Sequence, residues 1–125
     1  MKQDRGSAMI EFALILPLLI MLLVGIIDFG LAYGAQVSIT AAAREGARSR
    51  ALGGQPSDVQ TAVNASKGAA SVTAVDSGTA CPANSGGATT QFATVIVSAS
   101  FTFGIPFVPL GTKTFTATAS MRCGL

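Results

Sequence analysis

The first side chain in this sequence that could do chemistry is a carboxylate inside an apolar segment. Glu11 stands near the start of a run from Ser7 to Ile27 that is otherwise apolar or small. A charged group in a membrane-length helix costs about 2.5–3.5 kcal/mol on insertion scales, so it usually has a partner and a function. The small residues Gly6 and Ser7 precede it, at the end of a short charged leader over residues 1–6. Glu11 is therefore the first candidate functional residue.

The composition argues against several classes of function. The chain has no His, and its two Cys lie far apart, so neither a catalytic triad nor a metal site can be assembled from the usual residues. A net charge of +2, with only 11% charged residues, is too small and too dispersed for nucleic-acid binding. We therefore expect a protein that is not an enzyme, holds no cofactor and binds no nucleic acid. Its 125 residues leave room for one anchor and one small domain.

The apolar segment has the length of a membrane span. No polar residue occurs between Phe12 and Ile27, and the segment continues to Ala32 after one acid, Asp28. A spanning helix needs about 20 apolar residues, which predicts a span over about residues 9–32. Asp28 would lie near its outer end, with an aromatic residue, Tyr33, at the interface. We expect a structural role for Asp28 rather than a chemical one.

Beyond this span the helical pattern continues and becomes polar. Residues 35–52 are rich in alanine and contain no proline, which favours a helix. Gly53 and Gly54 follow and are expected to end it. One helix over residues 7–52 would be roughly 70 Å long at 1.5 Å per residue. About half of it would lie in lipid, and the other half would project beyond the membrane.

The remaining residues, 55–125, have the pattern of a small α+β domain. A short helix is predicted near residues 56–68, where Ser57 and Gln60 have the spacing of a capping box. A short strand is predicted at residues 71–75, followed by a loop rich in Gly, Ser and Thr.

Two longer strands are predicted near the C-terminus. Apolar and polar residues alternate over residues 93–103 and 115–123, which indicates half-buried antiparallel strands. The apolar face of such a sheet needs a cover, and the two predicted helices can supply it. The expected fold class is therefore α+β, with a long N-terminal helix, a second short helix and a small antiparallel sheet.

The connection between these two strands is unusually apolar. Ile105, Phe107, Val108 and Leu110 occur within a loop that also contains two prolines. The first interpretation is that these side chains tuck under the sheet. The alternative is a contact patch for a partner subunit or for the membrane surface.

Two motifs in the N-terminal segment resemble a known family. Gly6 and Glu11-Phe12, separated by four residues, are similar to the cleavage signal of type IV prepilins in its Tad/Flp variant. Glu11-Phe12-Ala13-Leu14-Ile15-Leu16-Pro17-Leu18-Leu19 and Ala42-Ala43-Arg44-Glu45-Gly46-Ala47-Arg48 resemble the N-terminal module of TadE-like proteins. The resemblance covers residues 6–48 and implies a pilin-like architecture, in which the long helix carries the small sheet as a head.

The resemblance also implies roles for individual residues. A prepilin peptidase would cut between Gly6 and Ser7, where a glycine lets the backbone enter the protease cleft extended. Glu11, with Phe12 beside it, would then act in assembly by compensating the freed amine of a neighbouring subunit. The implied partners are this peptidase and other Tad/Flp pilins and pseudopilins.

The function that the resemblance implies is that of a minor pilin or pseudopilin. Such a protein takes part in assembling a Tad/Flp type IV-like pilus, which serves surface adhesion or biofilm formation. It would lie in the bacterial cytoplasmic membrane as a single-pass protein, with the N-terminus cytoplasmic and the C-terminal domain outside. Incorporation into the pilus itself is compatible with this interpretation.

Two further pairs of residues are candidate structural sites. Gly30 and Gly34 form a GxxxG spacing, which can serve as a helix-packing face within a membrane. Cys81 and Cys123 are an even pair in a domain that we take to be exported, so we expect them to form a disulfide.

A secretory signal peptide is the main alternative, because a small-residue cleavage site also occurs near Gly34. That cut would release a secreted or surface β-rich binding domain. Charge counting does not decide the orientation, since Lys2 and Arg5 precede the span while three arginines follow it at Arg44, Arg48 and Arg50.

Overall fold

The protein folds into two helices followed by three strands. The structure is a computed structural model that describes residues 4–82 and 91–123. The first three residues of the leader and residues 83–90 of the Gly/Ser/Thr loop lie outside the described part. The predicted α+β class is confirmed, with these elements in chain order: α1 (Asp4–Ala51), α2 (Pro56–Ser66), β1 (Ser71–Asp76), β2 (Phe92–Thr102) and β3 (Thr112–Arg122).

Helix α1 contains 48 residues and is therefore roughly 70 Å long. It begins inside the leader, three residues before the predicted start at Ser7. At its other end the N–H of Gly54 donates to Ser49 O (3.0 Å) and the N–H of Gly53 donates to Arg50 O (3.1 Å). This is the Schellman arrangement, which requires a left-handed residue after the helix, and Gly53 has a φ of 87°. The predicted stop at these glycines is confirmed.

The two halves of α1 have different surroundings. Every residue from Gly6 to Ile20 is exposed, whereas one face of the second half is buried. The buried residues recur at helical spacing and are almost all small: Ala32, Ile39, Ala42, Ala43, Gly46 and Ala47. Small side chains let another element approach the helix backbone closely, which makes this face suited to packing.

The three strands form one antiparallel sheet in the order β1-β2-β3. Alternate residues of β2 are buried, beginning at Ala93 and ending at Ala99, as the period-2 pattern predicts. Helix α1 packs on β2 and β3, and α2 packs mainly on α1. The expectation that the two helices cover the sheet is therefore correct, although α1 covers most of it.

Gly46 marks the point where α1, α2 and β2 meet. A Cβ added at Gly46 would lie 2.8 Å from Val63 Cγ2, 3.2 Å from Val95 Cγ1 and 3.4 Å from Val59 Cγ1. Val59 and Val63 belong to α2 and Val95 to β2, and all three are fully buried. A side chain at position 46 would therefore hold the three elements apart.

The start of α2 differs from the predicted one. Gln55, not Ser57, is the N-cap residue, and Pro56 occupies the first helical position. Asp58 Oδ2 accepts a hydrogen bond from the N–H of Gln55 (2.9 Å). Proline has no N–H to lose and its φ already suits a helix, so the helix begins at Pro56 and the acid three residues after the cap takes the role expected for Gln60.

Two expectations about buried side chains are wrong in part. Met121, expected on the inner face of β3, is 36% exposed, and Ala117 is the buried residue of that strand. The apolar loop does not tuck under the sheet as a whole, since Phe107 is 100% exposed and Leu110 is exposed as well. Ile105 and Val108 are half-buried.

The predicted disulfide joins Cys81 to Cys123, with 5.6 Å between the two Cα atoms. Cys123 lies just after β3 and is buried, and its N–H donates to Gln91 O (2.9 Å). The bond ties the segment after β1 to the end of the sheet across 42 positions of sequence.

We predict that Gly46→Val destabilises the head by about 1–3 kcal/mol, because it overpacks the junction of three elements. Thermal or denaturant unfolding of the purified chain measures this loss. The matched control is Gly30→Val, since a Cβ at Gly30 meets nothing within 4 Å. Equal stability of the two variants would show that Gly46 does not limit the packing.

We predict that Cys81→Ser lowers the stability of the head by about 2–4 kcal/mol, since the disulfide restricts the unfolded chain. In native protein both thiols should resist alkylation until a reductant is added, and a non-reducing gel should show a shift on reduction. Two reactive thiols in protein extracted under alkylating conditions would contradict the bond.

Candidate functional site

The predicted cleavage and assembly residues lie together on the first turns of α1. Gly6, Ser7, Glu11 and Phe12 are all exposed, and a Cβ at Gly6 would meet nothing within 4 Å. Ser7 and Glu11 are four residues apart, so they occupy the same face of the helix. Nothing in the described part of the chain covers this face, and it is accessible to a protease or to a second subunit.

The apolar half of α1 has the properties of a membrane anchor. Its most apolar window of 18 residues has a mean hydropathy of 2.8, and none of that window is buried within the chain. The exposed large side chains of this half include Leu14, Leu18, Leu22 and Ile26. Length and composition suit a single membrane crossing, and the surface is open to lipid or to neighbouring helices.

Gly30 and Gly34 are exposed, and no described residue packs closely against them. A Cβ at either position meets nothing within 4 Å. They line a groove of about 420 Å³ whose other wall is formed by the α2–β1 connection and by Phe101 of β2. Their role as a face for packing another helix remains a prediction.

Asp28 has a partner that its position in the sequence did not reveal. Its Oδ2 accepts a hydrogen bond from the N–H of Gly104 (2.7 Å), across 76 positions of sequence. The next loop residue approaches the helix too, since a Cβ added at Gly25 would lie 4.0 Å from Ile105 Cδ1. The structural role expected for Asp28 is thus specific: its carboxylate attaches the β2–β3 loop to the helix. The only indication in the sequence was a lone acid in an apolar run.

The base of this loop is held by further contacts. The hydroxyl oxygens of Thr102 and Thr112 lie 2.8 Å apart, and the N–H of Phe103 donates to Gly111 O (3.2 Å). The rings of Phe101 and Phe103 pack edge to face with centroids 5.1 Å apart. The loop therefore leaves the sheet in a defined direction, toward the N-terminal half of α1.

Metal-binding chemistry has no visible basis in the described residues. Within residues 4–82 and 91–123, no three side chains of His, Cys, Asp or Glu lie together as potential ligands. The arrangement offers instead a long exposed apolar helix, an acid near its start and a head fixed to its second half.

Comparison with known proteins finds a family likeness in helix α1. The family model of TadE-like proteins matches residues 6–48. The match begins at Gly6, ends in the last turn of α1 and covers roughly a third of the chain. No curated protein and no solved structure matches the chain significantly.

The resemblance to TadE-like proteins that the motifs predict is therefore confirmed for α1. A TadE-like segment indicates a protein associated with components of the Tad pilus and carrying a membrane anchor. The matched segment also contains Asp28 and Gly46, two of the positions at which the helix contacts the rest of the chain.

We predict that Asp28→Ala frees the loop from the helix. The Gly104 amide would lose its acceptor, at a cost of about 1–3 kcal/mol, and should exchange its hydrogen faster. Asp28→Asn keeps an acceptor oxygen without the charge and should have a smaller effect. Asp58→Ala, which removes the acceptor of a different backbone N–H at Gln55, is the control. Unchanged Gly104 exchange in Asp28→Ala would contradict the proposed attachment.

Proposed function

We propose that this protein is a minor pilin or pseudopilin that takes part in assembling a Tad/Flp type IV-like pilus. The observation that carries the proposal is the match of residues 6–48 to TadE-like proteins, which starts at the glycine of the prepilin-like motif. The pilus would serve surface adhesion or biofilm formation. The chain would be a single-pass protein of the cytoplasmic membrane, with its head outside and its N-terminus cytoplasmic.

Processing by a prepilin peptidase would occur between Gly6 and Ser7. Both residues lie within the first turn of α1, so this turn has to unwind before the chain can enter a protease in an extended form. The ends of a helix open more easily than its middle, and a glycine weakens the helix further. The exposed position of Gly6 supports the assignment.

After the cut, Glu11 would lie one helical turn from the new N-terminus at Ser7. A carboxylate near the N-terminus of a helix is favourable for the helix itself, so it needs no partner within the chain. When two such helices pack side by side, the carboxylate of one can compensate the amine of the other. The apolar surface of α1 would then be shared among pilin-like subunits, as well as with lipid.

The head would move with the helix during assembly. Burial of α1 against the sheet extends from Ala32 to Ala47, and the hydrogen bond at Asp28 extends the attachment further toward the membrane. Extraction of α1 from the membrane into a fibre or assembly complex would therefore carry the head along as one body.

A secreted binding domain, released near Gly34, fits the packing less well. Ala32 is only 5% exposed, and Asp28 binds the β2–β3 loop, so the head already depends on residues before that cut. Release would break both contacts. The proposal therefore favours a head that stays on its helix.

We predict that Gly6→Leu blocks processing, because a bulky residue obstructs the extended chain in the protease cleft. The membrane-bound protein should then retain its leader, whereas native protein should begin at Ser7 when its N-terminus is sequenced. Gly34→Leu is the matched control and should be processed normally. A mature N-terminus at Ala35 in native protein would favour release of the head instead.

We predict that Glu11→Ala and Glu11→Gln insert into the membrane normally but fail to support pilus assembly. An acid near the end of the span can reach water, so its removal should not hinder insertion. Counting pili by electron microscopy, with membrane fractionation of the same cells, separates the two effects. Glu45→Gln, an exposed acid in the head-bearing half of α1, is the control. Normal piliation with Glu11→Ala would show that the carboxylate has no role in assembly.

A further inference from the structure

The β2–β3 loop, residues 104–111, lies alongside the apolar half of α1. Gly104 is bound to Asp28, and Ile105 lies against Gly25 one turn further toward the N-terminus. The tip, Pro106 and Phe107, lies across an apolar groove of about 520 Å³ from helix residues 14–21. Position 21 is about 10 Å below position 28 along the helix axis. The tip therefore lies well inside the length of the predicted span.

This depth follows from the lengths of two elements that run side by side. Gly46 lies against Val95, and Asp28 is bound to Gly104. Along the helix, positions 28 and 46 are roughly 27 Å apart. Along β2 and its extension, positions 95 and 104 are roughly 30 Å apart. Since β2 runs antiparallel to α1 and leaves the sheet at the level of Asp28, residues that follow Gly104 continue toward the membrane.

The residue composition of the loop suits an apolar medium. None of its eight residues is charged, and Pro106 and Pro109 have no N–H. The N–H groups of Gly104, Val108 and Leu110 are bonded to Asp28 Oδ2, Ile105 O (3.4 Å) and Val108 O (2.9 Å). Irregular backbone is tolerated at membrane depth only where it is buried in protein or lines a cavity. The three bonds, and the contact of the loop with α1, give the loop part of that protection.

Phe107 has two features that do not serve the fold of the head. Its side chain is 100% exposed, and its φ is 64°, in the left-handed region that a bulky residue rarely adopts. Exposure of an aromatic ring to water does not stabilise the fold. Residues with a strained backbone of this kind cluster at functional contacts. Both features are consistent with a ring that is placed to meet an apolar medium outside the chain.

Residue types that are common at the membrane–water interface occur at the same height along the α1 axis on the helix and on the β2–β3 hairpin. Tyr33 of α1 is exposed, and Lys113 of β3 is exposed and pairs with Phe101 of β2. Phe101 lines the same groove as Gly34, so Lys113 and Tyr33 lie at about the same height. Tyrosine and lysine side chains commonly lie at the lipid headgroups. Here both lie on the head side of the apolar half of α1 and of the apolar loop.

We propose that the β2–β3 loop is a second membrane-contacting element and that its tip, Pro106-Phe107, inserts into the hydrocarbon of the lipid bilayer beside α1. The proposal rests on the membrane anchor of the proposed function. The occupant is lipid because the loop lies beside the surface of α1 that is itself free to contact lipid. Lys113 adds a positive charge where lipid phosphates would lie. The hydrogen bond from the Gly104 N–H to Asp28 Oδ2 then satisfies one backbone group that would otherwise be unpaired in lipid.

The test uses single tryptophans, because the chain has none of its own. Phe107→Trp, Phe29→Trp and Phe92→Trp are the same change at three exposed positions: the loop tip, the predicted span, and the far end of β2. The full chain carrying each variant is reconstituted into phosphatidylcholine vesicles. Its fluorescence is measured with acyl chains brominated at defined depths, and separately with aqueous iodide, at several protein-to-lipid ratios.

The proposal predicts that Phe107→Trp behaves like Phe29→Trp, with blue-shifted emission, loss of fluorescence in brominated lipid and protection from iodide. Phe92→Trp should show the opposite at every protein-to-lipid ratio. If Phe107→Trp instead matches Phe92→Trp while Phe29→Trp is quenched by lipid, the loop lies outside the bilayer and only the anchor stands. Shielding of Phe107→Trp that appears solely at high protein-to-lipid ratios would assign the loop to a second copy and overturn the lipid assignment. Failure of lipid to quench Phe29→Trp as well would refute the anchor itself.

Discussion

The burial of the small-residue face of α1 against the sheet is the constraint on which the other features depend. Alanines and Gly46 bring β2 and α2 close to the helix backbone. Once this contact fixes one end of β2, the length of the strand determines where the other end falls, namely at Asp28. The attachment of the loop and its position beside the apolar half of α1 both follow from this alignment.

The same alignment explains why an acid is tolerated inside an otherwise apolar helix. An unpaired carboxylate in a membrane span is costly, and a backbone N–H without an acceptor is costly in the same medium. Asp28 gives the Gly104 N–H its acceptor and gains one hydrogen bond in return, so the pair lowers both costs in part. Among the described residues Glu11 has no comparable partner, and it lies on an exposed face. The two acids of the apolar segment therefore differ in kind: one attaches the β2–β3 loop to the helix, and the other is exposed to another molecule.

The sequence predicts those features that arise from local patterns. The long helix, its stop at Gly53, the alternation of β2 and the TadE-like motifs are all determined by residues close in sequence, and each was confirmed. The disulfide was also predicted, because an exported domain with two cysteines leaves one pairing. The N-cap of α2 was placed two residues late because a proline at the first helical position outweighed the serine.

Contacts between distant residues could not be predicted in this way. The bond between Asp28 and Gly104 spans 76 positions, and the junction at Gly46 involves three elements. The loop was expected to tuck under the sheet because apolar side chains usually avoid water. That expectation failed for Phe107, because the loop lies beside a helix whose own surface is apolar, and burial within the head is not the only way to leave water.

We propose above that α1 anchors the chain in the membrane and holds the head on the outer side. The three lysines of the chain make this directly measurable, because Lys67 and Lys113 belong to the head and Lys2 to the leader. Spheroplasts are treated with a membrane-impermeant amine reagent, and modified peptides are identified by mass spectrometry. We predict that Lys67, at the end of α2 and away from the β2–β3 loop, is modified in intact spheroplasts, while the N-terminal amine of Ser7 is modified only after the membrane is permeabilised. Modification of Lys67 only after permeabilisation would place the head in the cytoplasm and contradict this orientation.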